Sequence, residues 1–198
     1  PSPSRIPSPR RIRSPLPTLS LLRISSPLPA PMGAWMMDSV GWWYRYADGS
    51  YPRNGAALID GATYRFDASG YMRTGWVSEA GSWFYHDASG AQASGWVKDG
   101  GSWYYLDPAT GRMVTGWLLD GPTWYYLTPG SGAMATGWVK DGDTWYYLNP
   151  TTGKMMTGWL KDGGAWYYLK TGSGAMATGR LRIFWTWYTF SETGQLIS

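Results

Sequence analysis

The feature that most restricts the fold of this chain is a sequence repeat of 20 to 21 residues. The dipeptide Gly-Trp recurs at spacings of 20, 21, 21 and 21 residues, and we name its tryptophan the first tryptophan of each repeat: Trp76, Trp96, Trp117, Trp138 and Trp159. A second tryptophan follows seven residues later in every case: Trp83, Trp103, Trp124, Trp145 and Trp166. Four of these five open the tetrapeptide Trp-Tyr-Tyr-Leu, whose two tyrosines we number first and second. Such self-similarity is typical of architectures in which like units stack on one another.

The residues available for a hydrophobic core are mainly aromatic. Leu, Ile, Val and Phe supply only 30 of the 198 residues, a proportion below the roughly 20% under which chains are often disordered. The chain also has 15 Trp and 15 Tyr, and each of these side chains buries about 150–250 Å² when it is packed. We therefore expect tryptophan and tyrosine to build the core and to dominate the function.

Each repeat contains the pattern of a β-hairpin. In residues 96–106 the dipeptide Asp99-Gly100 separates two alternating runs, and Asp-Gly is a strong signal for a two-residue turn. A turn at these two residues places Trp96 directly opposite Trp103. The same register predicts that the two tryptophans are cross-strand neighbours in later repeats: Trp117 with Trp124, Trp138 with Trp145, and Trp159 with Trp166.

Alternation along the strands assigns the side chains to two faces of the hairpin. One face holds the two tryptophans and the second tyrosine, and the other holds the valine, the first tyrosine and the leucine of the repeat: Trp96, Trp103 and Tyr105 against Val97, Tyr104 and Leu106. Because the first tyrosines share the leucine face, we expect them to be core residues: Tyr104, Tyr125, Tyr146 and Tyr167.

A single two-stranded hairpin is only marginally stable in water, so the units must stack. The sequence therefore predicts an all-β fold, a solenoid of about seven stacked β-hairpins over residues 35–198. The repeats are degenerate at residues 35–75 and 180–198, as terminal repeats of stacked arrays commonly are.

The N-terminal segment has a different composition. Residues 1–31 contain nine of the 14 prolines and five arginines, with no acidic residue. Such a composition opposes packing, so we expect residues 1–34 to be an unstructured Pro/Ser/Arg-rich linker. No aromatic residues alternate with these arginines, and no apolar run approaches the ~20 residues of a membrane span. We expect neither a nucleic-acid partner nor insertion into a membrane.

Residues that carry catalysis or bind metals are scarce. The chain has no cysteine and one histidine, His86, which stands at the leucine position of its repeat. The aspartates before glycine are expected to be turn residues: Asp99, Asp120, Asp141 and Asp162. We therefore expect a protein without catalytic residues, metal or cofactor.

From Trp76 to Gly179 the repeat resembles the choline-binding repeat of Gram-positive surface proteins and phage cell-wall lysins. The pattern that carries the resemblance is Gly-Trp-x₆-Trp-Tyr-Tyr-Leu, followed by Gly-x-Met-x-Thr-Gly-Trp. The resemblance implies a left-handed solenoid of hairpins that anchors a secreted protein to the bacterial cell wall. The implied partner is choline or phosphocholine on teichoic acids.

The resemblance also implies ligand sites between consecutive hairpins, with two tryptophans from one hairpin and a tyrosine from the next. Carried onto this chain, the cages are Trp76, Trp83 and Tyr105; Trp96, Trp103 and Tyr126; Trp117, Trp124 and Tyr147; and Trp138, Trp145 and Tyr168. Methionines are the implied closing residues, although the sequence does not say which serves which cage: Met113, Met134, Met155 and Met176. At the ends, Ala56 and Thr63 replace both tryptophans, and Thr189 stands where the last tyrosine is expected.

The physics of a quaternary ammonium agrees with an aromatic site. This cation has no N–H to donate, so aromatic faces worth ~0.5–2 kcal/mol each are its natural receptor. Two alternatives remain open from the sequence. One is a glucan- or carbohydrate-binding repeat, because aromatic rings also stack on sugars, and the other is a structural spacer without a ligand. Elution from an immobilised amine by choline, and not by glucose oligomers, separates the three.

Overall fold

The computed structural model describes residues 33–198, and within this range all regular structure is β-strand. Sixteen five-residue strands pair in sequence order into antiparallel hairpins, which we number 1 to 8. Their strands are Gly33–Met37 and Trp42–Tyr46 (β1, β2), Gly55–Ile59 and Ala62–Phe66 (β3, β4), Gly75–Glu79 and Ser82–His86 (β5, β6), Gly95–Asp99 and Ser102–Leu106 (β7, β8), Gly116–Asp120 and Thr123–Leu127 (β9, β10), Gly137–Asp141 and Thr144–Leu148 (β11, β12), Gly158–Asp162 and Ala165–Leu169 (β13, β14), and Gly179–Ile183 and Thr186–Phe190 (β15, β16).

The repeated hairpins confirm the all-β prediction, and the described residues hold eight of them against the expected seven or so. The first strand begins at Gly33, so the predicted linker falls almost wholly on residues outside the described range. The described residues divide into two compact units, 33–114 with hairpins 1 to 4 and 115–198 with hairpins 5 to 8. No helix in the described part of the chain is long and apolar enough to cross a membrane.

The hairpin register differs from the prediction. Trp96 faces Tyr105, and the last pair before the turn is Asp99 with Ser102, so the turn consists of Gly100 and Gly101. Both glycines have positive φ, +54° and +84°. A turn of this kind requires φ > 0 at both central positions, which glycine adopts at low cost, so Gly-Gly is preferred over the overlapping Asp-Gly.

The predicted direct pairing of the two tryptophans is therefore wrong. Trp117 faces Tyr126 and Trp124 faces Leu119, which makes the two tryptophans diagonal neighbours. Their rings nevertheless lie on one face, with centroids 6.4 Å apart and planes at 86°. The face assignment is correct because the error moves each partner by two residues, which preserves the alternation.

Within each unit, the return segment of a hairpin is hydrogen-bonded to the hairpin before it. Met113 forms an isolated β-bridge with Leu106 of its own repeat, and its backbone N–H donates to the carbonyl of Trp83 in the preceding hairpin at 2.8 Å. The leucine that ends each tetrapeptide is fully buried: Leu106, Leu127, Leu148 and Leu169. Stacking therefore buries the apolar face that one hairpin cannot bury alone.

Candidate functional site

Aromatic rings of consecutive hairpins meet at the junctions within each unit, except between hairpins 2 and 3. The first tryptophan of one hairpin contacts the first tyrosine of the following hairpin, edge to face, at interplanar angles of 62–73°. The centroid distances are 4.8 Å for Trp76–Tyr104, 4.6 Å for Trp117–Tyr146, 4.9 Å for Trp138–Tyr167 and 4.9 Å for Trp159–Tyr188. These four junctions thus repeat one geometry.

The tyrosine that comes from the next hairpin is not the one expected. The second tyrosines pack on the first tryptophan of their own hairpin, at 5.2, 5.0, 5.0 and 5.2 Å for Tyr105, Tyr126, Tyr147 and Tyr168. Three of them are buried, with exposures of 6% for Tyr126 and 8% for Tyr147 and Tyr168. The first tyrosines, expected in the core, are only half-buried.

The first tyrosine contacts the preceding hairpin in place of the second tyrosine because a stacked hairpin is covered on both faces. Alternation places Tyr146 and Tyr147 on opposite faces of hairpin 6. It does not determine which face meets hairpin 5. Stacking places the Tyr146 face against Trp117, and Tyr147 is enclosed beside Trp138.

A carboxylate of the following hairpin fixes the orientation of the first tryptophan. The indole Nε1–H donates to a carboxylate oxygen in three junctions, at 3.0 Å for Trp76 to Asp99, 3.0 Å for Trp117 to Asp141 and 2.9 Å for Trp138 to Asp162. The hydroxyl of Tyr126 also donates to Asp141, at 3.4 Å. Burial and this carboxylate both raise the pKa of Tyr126 above its usual value. These aspartates, expected to form turns, instead end their strands and hold the indoles.

Four of the five second tryptophans are exposed and form the open side of their sites, with exposures of 44% for Trp83, 40% for Trp103, 39% for Trp145 and 44% for Trp166. The fifth, Trp124, is half-buried. In hairpins 4 to 7 the second tryptophan stands nearly perpendicular to the first, with centroids 6.2–6.4 Å apart. One oriented ring and one accessible ring at a right angle form a concave aromatic corner.

The return segments place the methionines, which the sequence left unassigned. The backbone N–H of Met155 donates to the carbonyl of Trp124, and that of Met176 donates to Trp145, each at 2.8 Å, as Met113 does to Trp83. All three side chains are half-buried. The fourth expected methionine, Met134, is half-buried in the second unit, whereas Trp96 and Trp103 belong to the first.

Sequence reasoning missed a similar junction at the front of the chain. The Trp35 ring lies 4.7 Å from that of Tyr64, and the backbone N–H of Met72 donates to the carbonyl of Trp42 at 2.7 Å. Ala34 precedes Trp35, so the Gly-Trp motif does not find it. The seven-residue step from Trp35 to Trp42 is the signal that identifies this repeat.

The junction of hairpins 7 and 8 is also more complete than expected. Thr189 occupies the second-tyrosine position and faces Arg180, while Tyr188, at the first-tyrosine position, contacts Trp159. Leu196 takes the place of the methionine, and its backbone N–H donates to the carbonyl of Trp166 at 2.8 Å. Replacement of the second tyrosine therefore leaves the contact between the hairpins in place.

The comparisons with known proteins agree with this geometry. A family model described as the choline-binding repeat matches residues 54–94, 80–112, 93–136 and 135–181. Among solved structures, the chain is similar to choline binding protein F of Streptococcus pneumoniae, crystallised in the presence of a peptidoglycan analogue. The identity is 38% and the TM-score 0.73, and the match covers 83% of this chain and 57% of that one.

Two further structures from Streptococcus pneumoniae are similar. CbpJ from strain TIGR4 is 27% identical with a TM-score of 0.60, over 84% of this chain and 87% of that chain. The modular autolysin LytC is 29% identical with a TM-score of 0.57, over 83% of this chain and 42% of that chain. Comparison with curated protein sequences gives no match.

Proposed function

Since the chain belongs to the choline-binding repeat family, we propose that it is a non-catalytic module that anchors a secreted protein to the bacterial cell wall. In this proposal the ligand is the choline headgroup of phosphocholine on teichoic acid. The observation that carries it is the junction of hairpins 6 and 7. There Trp138, held by the Asp162 carboxylate, contacts Tyr167 of the next hairpin beside the exposed Trp145.

A quaternary ammonium suits such a junction for two reasons. Its methyl groups give it an apolar surface with a spread positive charge, which aromatic faces attract by ~0.5–2 kcal/mol each. The indole and the phenol offer these faces without demanding an N–H donor from the ligand. The carboxylate behind the indole keeps the ring in place and adds negative potential to the site.

The proposed cages combine two tryptophans of one hairpin with the first tyrosine and the closing residue of the next. They are Trp35, Trp42, Tyr64 and Met72; Trp76, Trp83, Tyr104 and Met113; Trp117, Trp124, Tyr146 and Met155; Trp138, Trp145, Tyr167 and Met176; and Trp159, Trp166, Tyr188 and Leu196. In this assignment the second tyrosines support the first tryptophans from within the hairpin.

The test is adsorption of the full chain to a resin that carries tertiary amines. The chain has a formal net charge of +4, so a positively charged resin repels it unless specific sites bind the amine. We expect retention that resists sodium chloride and ends when choline is added at the same ionic strength. Elution by glucose oligomers instead supports a carbohydrate module, and absence of retention contradicts the proposal.

A further inference from the structure

The junction of hairpins 2 and 3 differs from the others at the positions that build a site. Hairpin 2 has Ala56 and Thr63 where other repeats carry the first and second tryptophans. Ala56 faces Arg65 across the hairpin, in the register in which Trp96 faces Tyr105. Arg65 therefore occupies the position of the second tyrosine, and it is buried, with 6% exposure.

Hairpin 3 is changed at the matching positions. Phe84 stands at the first-tyrosine position, His86 at the leucine position and Gln92 at the methionine position. The backbone is unaltered, because the N–H of Gln92 still donates to the carbonyl of Thr63, at 2.8 Å. The side chains of one junction have thus changed together on a common backbone.

These side chains surround the guanidinium of Arg65. Its central carbon lies 3.5 Å from the centroid of the Phe84 ring, which is a close cation–π contact. Its Nε donates to Oε2 of Glu79 at 2.9 Å, and its Nη1 donates to Oε1 of Gln92 at 2.6 Å. Glu79 ends its strand as Asp99 does. The carboxylate at this position accepts from the preceding hairpin in both cases, from Arg65 at Glu79 and from Trp76 at Asp99.

His86 completes the arrangement as an acceptor. Its Nδ1 lies 2.8 Å from the carbonyl oxygen of Gly90, which can only accept, so Nδ1 carries the proton. Its Nε2 lies 3.2 Å from Nη1 of Arg65 and offers a lone pair to it. The guanidinium is therefore held by an aromatic face, a carboxylate, an amide oxygen and a neutral imidazole.

We propose that this junction is a cation site which the protein fills with its own Arg65, so that hairpins 2 and 3 are held together without a ligand and take up no choline. The comparison with a ligand cation rests on the proposed function. The claim about cohesion rests only on the contacts of Arg65. A junction that needs choline gains stability by mass action when choline is added, whereas this one holds its cation permanently.

The first experiment measures thermal unfolding of the full chain without choline. Arg65→Ala leaves Glu79, Gln92 and His86 without their buried partner, so we expect the unfolding temperature of the front unit, residues 33–114, to fall by on the order of 10 °C. The matched control is Arg112→Ala, which removes an exposed arginine and should change it by about 1 °C or less. Added methylguanidinium should raise the unfolding temperature of Arg65→Ala part of the way back to that of the unaltered chain, and should not raise that of the control.

The second experiment counts bound choline by equilibrium dialysis. Arg65→Lys, which keeps a buried cation and is less prone to unfold, should bind as many cholines as the unaltered chain. The triple variant Ala56→Trp, Thr63→Trp, Arg65→Tyr restores the walls and should bind one more. Equal unfolding temperatures for Arg65→Ala and Arg112→Ala, or one choline fewer in Arg65→Lys, overturns the inference. Failure of the unaltered chain to bind choline contradicts the proposed function and leaves the unfolding result intact.

Discussion

The indole Nε1–H of Trp138 donates to a carboxylate oxygen of Asp162 at 2.9 Å, across the junction of hairpins 6 and 7. Trp138 is the first tryptophan of one repeat, and Asp162 is the last strand residue before the turn of the next. The orientation of the first tryptophan at this junction is therefore set by the neighbouring repeat, which links stacking to the proposed choline site.

Asp162→Ala should weaken choline binding at the Trp138 site by roughly threefold to tenfold, or about 0.7–1.4 kcal/mol, because the indole loses a charge-assisted hydrogen bond. The choline-induced shift of the Trp138 indole signal in an NMR titration measures this affinity. The control is Asp143→Ala, an exposed residue of the hairpin 6 turn. An unchanged affinity in Asp162→Ala contradicts an orienting role for the carboxylate.

The two tyrosines of one repeat should respond differently to truncation. Tyr146→Ala removes a half-buried ring that contacts Trp117, so choline affinity at that site should fall with little loss of stability. Tyr147→Ala removes a buried ring and should lower the free energy of unfolding by about 3–5 kcal/mol. Calorimetric titration and thermal unfolding of both variants distinguish the roles. The reverse outcome means that the second tyrosine is the binding wall.

Trp124→Ala should abolish the site that it shares with Trp117 and Tyr146. The next site, with Trp138 and Trp145, should remain intact because each cage draws on two neighbouring hairpins. Choline-induced shifts of the individual indole signals report both sites in one titration. Loss of both sites means that the substitution has disrupted stacking, which a lower unfolding temperature would reveal.

The stability of the front unit should fall as the pH drops below about 6.5. Burial, with the nearby cations Arg65 and Arg73, lowers the pKa of His86, and these effects outweigh the opposing hydrogen bond to Gly90 and the attraction of Asp87. The unfolded chain therefore binds a proton at His86 near pH 6.5, whereas the folded chain binds it only at lower pH. The contribution of neutral His86 to the free energy of unfolding is fully present above pH 6.5. It is lost progressively as the pH falls toward the lowered pKa of the folded state.

Thermal unfolding between pH 7.5 and 5 measures this dependence above the range in which carboxylates titrate. His86→Gln keeps an acceptor for Arg65 without titrating, so its unfolding temperature should vary less with pH over the same interval. If the unfolding temperature of His86→Gln depends on pH as strongly as that of the unaltered chain, groups other than His86 cause the pH dependence.

Repetition of the cage should determine retention on the wall. A single cage of three aromatic faces supplies only a few kcal/mol, which corresponds to roughly millimolar affinity. On a polymer with many phosphocholines, each further contact is intramolecular, and avidity can exceed single-site affinity by about 10²–10⁴. Deleting one whole repeat, residues 137–157, should leave the free-choline affinity of the remaining sites nearly unchanged. Retention on choline-bearing walls should fall by tenfold or more, and equal retention contradicts the multivalent proposal.

The repeat alone was sufficient to predict the hairpins, their faces and the family. Alternation over five residues predicts that Trp117 and Trp124 share a face. This assignment is correct although the turn was misplaced, because a register shift of two residues leaves every side chain on the same face. The turn itself was misplaced, since Asp-Gly and Gly-Gly overlap in hairpin 4 and the sequence signal does not rank them. The front junction was missed because Ala34 breaks the Gly-Trp motif ahead of Trp35.

The sequence by itself therefore determined the unit of the fold and the aromatic character of the candidate sites, because both depend on local periodicity and residue type. Only the tertiary structure decided that Tyr146, and not Tyr147, contacts Trp117, and that Asp141 holds the indole of Trp117. It also decided that Arg65 fills the junction between hairpins 2 and 3. These relationships join residues 19 to 29 positions apart through stacking. The direction in which one hairpin faces the next is a property of packing that local alternation does not encode.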